Sequence, residues 1–96
     1  MPLETTPWDV ADYLETPADC AAYLDACLQE AGDDAAFIAK ALGDIARARG
    51  MAQVAEAAGL SRESLYKALS GERKPSFETI LKVTKALGVR LHAEPV

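Results

Sequence analysis

Apolar residues recur along this chain at intervals of three and four, and short polar or glycine punctuation cuts the pattern into pieces. Thr6-Pro7 and Thr16-Pro17 each set a capping threonine before a proline suited to the first helical position. Asp9 and Asp19 follow at the third position. The first of these signals predicts a short helix over 7–15. In the second helix Cys20, Tyr23, Leu24, Cys27, Leu28 and Ala31 form one stripe, and Gly32 ends it. Asp33 or Asp34 caps a third helix with Phe37, Ile38, Leu42 and Ile45 inward, and Gly50 ends that. Gly43 inside it is either a local weakness of about 1 kcal/mol or a point of close packing. Met51 to Ala58 make a short fourth helix ended by Gly59. Ser61 caps a fifth, running through Leu69 or Ser70. After the loop Gly71–Pro75, Ser76 caps a sixth with Phe77, Ile80, Leu81 and Leu87 inward, ended by Gly88. Residues 89–93 alternate apolar and polar as a short strand does. The expectation is an all-α fold of five to six helices with a possible short C-terminal strand.

Helices four and five are joined by Gly59 and Leu60 alone. So short a joint forces the helices to cross, and Gly59 tolerates the positive φ that the corner needs. Ala55 is small enough for close approach, and Val54 and Leu65 plug the wedge. A small residue, a glycine four on and an apolar residue six further make the helix-turn-helix pattern. The chain then divides, as one domain, into N-terminal acidic helices (1–50), the helix-turn-helix (51–70), a loop and supporting helix (71–88) and a tail (89–96).

Composition changes this picture in one respect. Half the residues are apolar but only six are aromatic, which suits helices. The net charge of −5 is unevenly spread: residues 1–50 carry −7 and residues 51–96 carry +2. A uniformly acidic chain would argue against nucleic acid, whereas a bipolar one does not. Arg62, Lys67, Arg73 and Lys74 crowd into thirteen residues around the fifth helix. With Leu65, Ala68 and Leu69 inward, the opposite face carries Glu63, Lys67 and Ser70, with Tyr66 at the edge. Arg62 sits in the first turn, where such motifs meet base edges, and arginine can pair with guanine O6 and N7. Lys67, Arg73 and Lys74 suit phosphates. Ser61, Arg62, Glu63, Tyr66, Lys67, Ser70, Arg73 and Lys74 are therefore the candidate DNA-binding residues. The free amides at the starts of helices four to six add phosphate donors.

The stretch "ALGDIARARGMAQVAEAAGLSRESLYKALSGERKPSFETILKVTKALGVRL" resembles the addiction-module antidote proteins, antitoxins with a phage-repressor-like helix-turn-helix. The likeness extends upstream through "VADYLETPADCAAYLDACLQEA" and covers about residues 8 to 92. It implies a small cytoplasmic antitoxin that neutralises a basic RelE/ParE-type toxin encoded beside it. It also implies a homodimer on double-stranded operator DNA, repressing the shared operon. One departure stands out. Where phage-repressor modules often carry a phosphate-gripping glutamine, four residues before the small alanine, this chain has Met51, and Gln53 lies two further on.

Other functions find little support. One histidine, no Gly-rich phosphate loop and no acid–base cluster leave nothing from which to build an enzyme site, and no cofactor or metal is expected. Cys20 and Cys27, seven apart on one helix, lie roughly 10 Å apart, beyond the ~7 Å reach of a disulfide. They read as small buried hydrophobes kept reduced. No apolar run approaches the ~20 residues of a membrane span, and there is no secretory signal pattern, so a soluble cytoplasmic protein is expected. The rival function is a stand-alone regulator of the same helix-turn-helix type without a toxin. The tail, as a strand, would pair with its counterpart in a second subunit or with the toxin; otherwise it lies over the N-terminal helices. Trp8 is either an anchor for the toxin or part of the core.

Overall fold

A computed structural model describes residues 14–72 and 74–96 of the 96-residue chain. The helix expected over 7–15, apart from Leu14 and Glu15, lies outside these residues, as do Trp8 and Arg73. Five helices follow: α1 (Pro17–Ala31), α2 (Ala35–Arg49), α3 (Met51–Ala58), α4 (Arg62–Ala68) and α5 (Phe77–Ala86).

Each start was legible in its cap. Thr16 accepts the Asp19 amide while the Asp19 carboxylate accepts the Thr16 amide, a reciprocal capping box behind Pro17. Asp34, rather than Asp33, caps α2 through the Phe37 amide. Ser61 and Ser76 cap α4 and α5. The α3–α4 corner takes the expected form. Gly59 has φ +74°, its amide donates to Glu56 O, and the Leu60 amide donates to Ala55 O at 2.8 Å. These are the paired bonds of a Schellman ending, with half-buried Leu60 closing it apolarly. The end of α5 repeats the motif, Val89 donating to Thr84 O and packing its side chain into the core.

Helix α3 joins the others, packing on α2, α4 and α5, while α1 packs on the far flank of the assembly against α2. Leu42 and Ile45 of α2, Leu65 of α4, Val83 of α5 and Cys20 of α1 meet in the fully enclosed core. Each large aliphatic side chain there stabilises the fold by about 1.5–3 kcal/mol relative to exposure. Val54 and Ala55 are buried at the wedge as expected. Gly43 proves to be a close-packing point: a β-carbon there would stand 2.9 Å from Leu69 O.

Three expected core positions are corrected. Phe77 is 68% exposed, Leu81 45% and Phe37 37%. Helix α5 carries two apolar stripes, and Ile80, Val83, Thr84 and Leu87 are the one that faces inward. Spacing alone could not rank them, because Phe77 and Leu81 obey the same i, i+4 rule. The possible strand is also absent: residues 89–96 carry no regular secondary structure, and no described residue is in a strand. A strand needs a ladder partner, and a single chain offers the tail none. Val89 and Leu91 instead run beside Leu24 and Leu28 of α1.

Candidate nucleic-acid interface

Helix α4 presents the outward face that its spacing requires. Leu65 and Leu69 are buried, Ala68 is half-buried, and Arg62, Glu63, Tyr66, Lys67 and Ser70 are exposed. Arg62 was expected in the first turn, and it is there. Its guanidinium lies along α4, 6.0 Å from the Tyr66 ring centre, at the outer reach of a cation–π contact, and the side chain stays exposed. The two serines spend their hydroxyls locally. Ser61 Oγ accepts the Ser64 amide and donates to Ser64 Oγ. Ser70 Oγ donates to Lys67 O and accepts the Glu72 amide, shaping the loop that follows. Both remain exposed, with spare acceptor capacity.

A groove flanks α4 on each side. On one, Lys67 and Lys74 share a recess with Ser64, Pro75 and Ser76. On the other, Arg62 and Tyr66 face Arg47, Arg49, Gly50 and Gln53 across an open cleft. Arg47, Arg49 and Gln53 border this cleft; the sequence singled out Gln53 only as the displaced glutamine and the two arginines not at all. Their signal was present in "ARARGMAQ": two arginines in the last turn of α2, directly before the glycine that starts α3. Basic residues in a last turn have an ordinary explanation in the helix dipole, which masked them.

The first turn of α3 differs from those of α4 and α5. Gly50 caps it without a side-chain hydrogen bond, and residues 50–53 border the cleft. Ser61 and Ser76 already occupy one donor each at the other two starts. An uncapped helix start beside two arginines is chemically suited to an anionic oxygen. Met51 is buried in the core, whereas Gln53 folds its side chain back over Gly50.

Both cleft arginines are anchored from behind. Asp44 pairs with Arg47 and accepts a hydrogen bond from the Tyr23 hydroxyl of α1 at 3.0 Å. Burial, reinforced by that bond to Asp44, pushes the Tyr23 hydroxyl's pKa up, so it stays a donor. Arg49 donates to the Glu15 carbonyl just ahead of α1. Cys20 and Cys27 are buried free thiols, each with its pKa raised by burial, and take no part in this face.

Residues 4–95 match the family model described as "Probable addiction module antidote protein". The chain belongs to this antidote family. A Haemophilus influenzae relative, whose printed name is only "Uncharacterized protein", is 49% identical over 87 residues, covering 91% of this chain and 88% of its own length. No solved structure matches. No helix among the described residues of this antidote family member is long and apolar enough to cross a membrane.

Proposed function

We propose that this chain is the antitoxin of a type II toxin–antitoxin module, that α3 and α4 serve as a helix-turn-helix on operator DNA, and that it represses its own operon as a homodimer. The observation that carries the reading is the clustering of Arg62, Lys67 and Lys74 with Arg47, Arg49 and Gln53 around one exposed helix, in a member of the antidote family. In this reading Arg62 contacts a base edge. Lys67, Lys74 and the uncapped start of α3 hold phosphates on either side. Arg73, in the same loop, would join them.

The partner to be neutralised is a basic toxin of the RelE/ParE kind. Between residues 14 and 39 the chain carries six acidic side chains and no basic one, all of it outside the α3–α4 unit. Such an acidic stretch would speed encounter with a basic protein and orient it. Asp9 and Asp12 lie outside the described residues, and Asp19 is committed to the α1 cap, so Glu30 and Asp33 are the better probes. Co-expression with the adjacent reading frame should yield a co-purifying complex. Glu30→Lys with Asp33→Lys should slow its association at low salt without weakening promoter binding. Absence of any complex with the neighbouring product would favour the stand-alone regulator.

A further inference from the structure

We propose that the outer edge of α5 is the seat of a second copy of this chain, Phe77 of each copy plugging the groove at the far end of the other's α5. The inference rests on the dimeric, DNA-binding reading above and names the surface that it needs. Phe77 is 68% exposed, the most exposed aromatic among the described residues, and Leu81 beside it is 45% exposed. Free in solution, an i, i+4 apolar pair of this kind is a liability, and exposed apolar patches mark association sites.

The same helix ends in a recess. Leu81, Thr84, Gly88, Val89 and Leu91 line an open groove of about 540 Å³ where α5 gives way to the tail. Phe77, the knob, thus stands at the start of a ten-residue helix, while the recess runs from Leu81 at mid-helix to beyond the far end, roughly 14 Å from the start at 1.5 Å per residue. A two-fold axis between antiparallel α5 helices brings each knob over the other's recess. That is the reciprocity of an isologous contact, in which i meets j and j meets i.

Charge follows the same symmetry. Glu78 lies beside Phe77 at the helix start, and Lys85 lies beside the recess at its end. On an α-helix the two are seven residues apart and so share a side. Under the two-fold each Glu78 comes opposite the other copy's Lys85, forming two complementary pairs at the rim. Glu78 already pairs with Lys82 at 3.1 Å within its own helix, so a second cation would extend a network.

The test is sedimentation of the full chain without DNA, with binding to a duplex of its own promoter region measured separately by fluorescence anisotropy. Wild type should sediment as a dimer. Phe77→Asp should raise the dimer dissociation constant about thirtyfold or more, the scale of an aromatic hot spot. At concentrations low enough for both to be monomeric, its thermal melt should match that of wild type, because the side chain lies outside the core. Glu78→Lys and Lys85→Glu should each weaken the dimer, and the double exchange should restore it. A wild-type monomer, a Phe77→Asp variant that dimerises normally, or a double exchange that fails to restore would each overturn the α5 seat. Wild-type monomers that still bind the promoter would overturn it while sparing the DNA reading. Dimers sensitive to Phe77→Asp, with no promoter binding in any form, would uphold the seat and sink the DNA reading. If Phe77→Asp instead abolished co-purification with the adjacent gene product and left the dimer intact, the patch would belong to the toxin.

Discussion

Replacing Gly43 by alanine pits two effects of opposite sign against each other. In an exposed helix the change would stabilise by about 1 kcal/mol through propensity. Here the new β-carbon would stand 2.9 Å from Leu69 O and 3.5 Å from Leu69 Cβ. The first of these is backbone at the end of α4, so relief requires α4 to move away from α2. Overpacking of that kind costs about 1–3 kcal/mol. The net expectation is a loss of about 1 kcal/mol, lowering the melting temperature by about 4–8 °C in a domain this small. Gly59→Ala is the control. Its φ of +74° costs about 1–2 kcal/mol for any side chain, yet nothing lies within 4 Å of the new atom. The two variants should therefore melt alike by circular dichroism but differ in function. Well below both melts, Gly43→Ala should bind promoter DNA more weakly than Gly59→Ala, because it displaces the helix that carries Arg62. A melting temperature for Gly43→Ala at or above wild type would refute the close approach.

Asp44→Asn removes the charge that holds Arg47 but keeps an acceptor for the Tyr23 hydroxyl. Stability should change by less than about 1 kcal/mol, while the salt dependence of DNA binding should steepen by about 0.9 in slope as Arg47 is freed for a phosphate; an unchanged slope would remove Arg47 from the interface. Arg62→Ala should cost about 1–3 kcal/mol and relax preference at one base position, whereas Lys67→Ala should weaken all sequences alike. Preference that survives Arg62→Ala intact would reassign the base-reading residue. Cys20, Cys27 and Tyr23 all hold their protons more tightly in the fold than out of it, chiefly through burial. Stability from such groups is complete below their unfolded values and is lost as pH rises past them, so the urea midpoint should stay level to about pH 9 and then fall. A midpoint that climbs with alkalinity would contradict that burial.

The helix starts were legible because each rests on local chemistry: Thr16 with Asp19, Asp34, Ser61 and Ser76 satisfy amides within three residues of themselves. The corner at Gly59 was equally local. What failed was the choice between competing apolar stripes. Phe77 and Leu81 are as periodic as Val83 and Leu87, and only the packing of α3 on α5 selects between them. The tail misled for a related reason, since alternation marks an extended segment but cannot supply a partner strand. On the candidate interface, the face of α4 followed from its own 100° per residue. Arg47, Arg49 and Gln53 did not, because α2 and α3 bring them across a cleft from Arg62, and that proximity is tertiary.

The central claim is that α4 reads DNA from a symmetric dimer, and footprinting on the chain's own promoter meets it most directly. The expected result is a protected palindrome whose half-sites lie about 34 Å apart, one duplex turn, or a multiple of that. Arg62→Ala should erase protection at matching positions in both halves. A single asymmetric footprint, or no protection at low salt, would contradict the account.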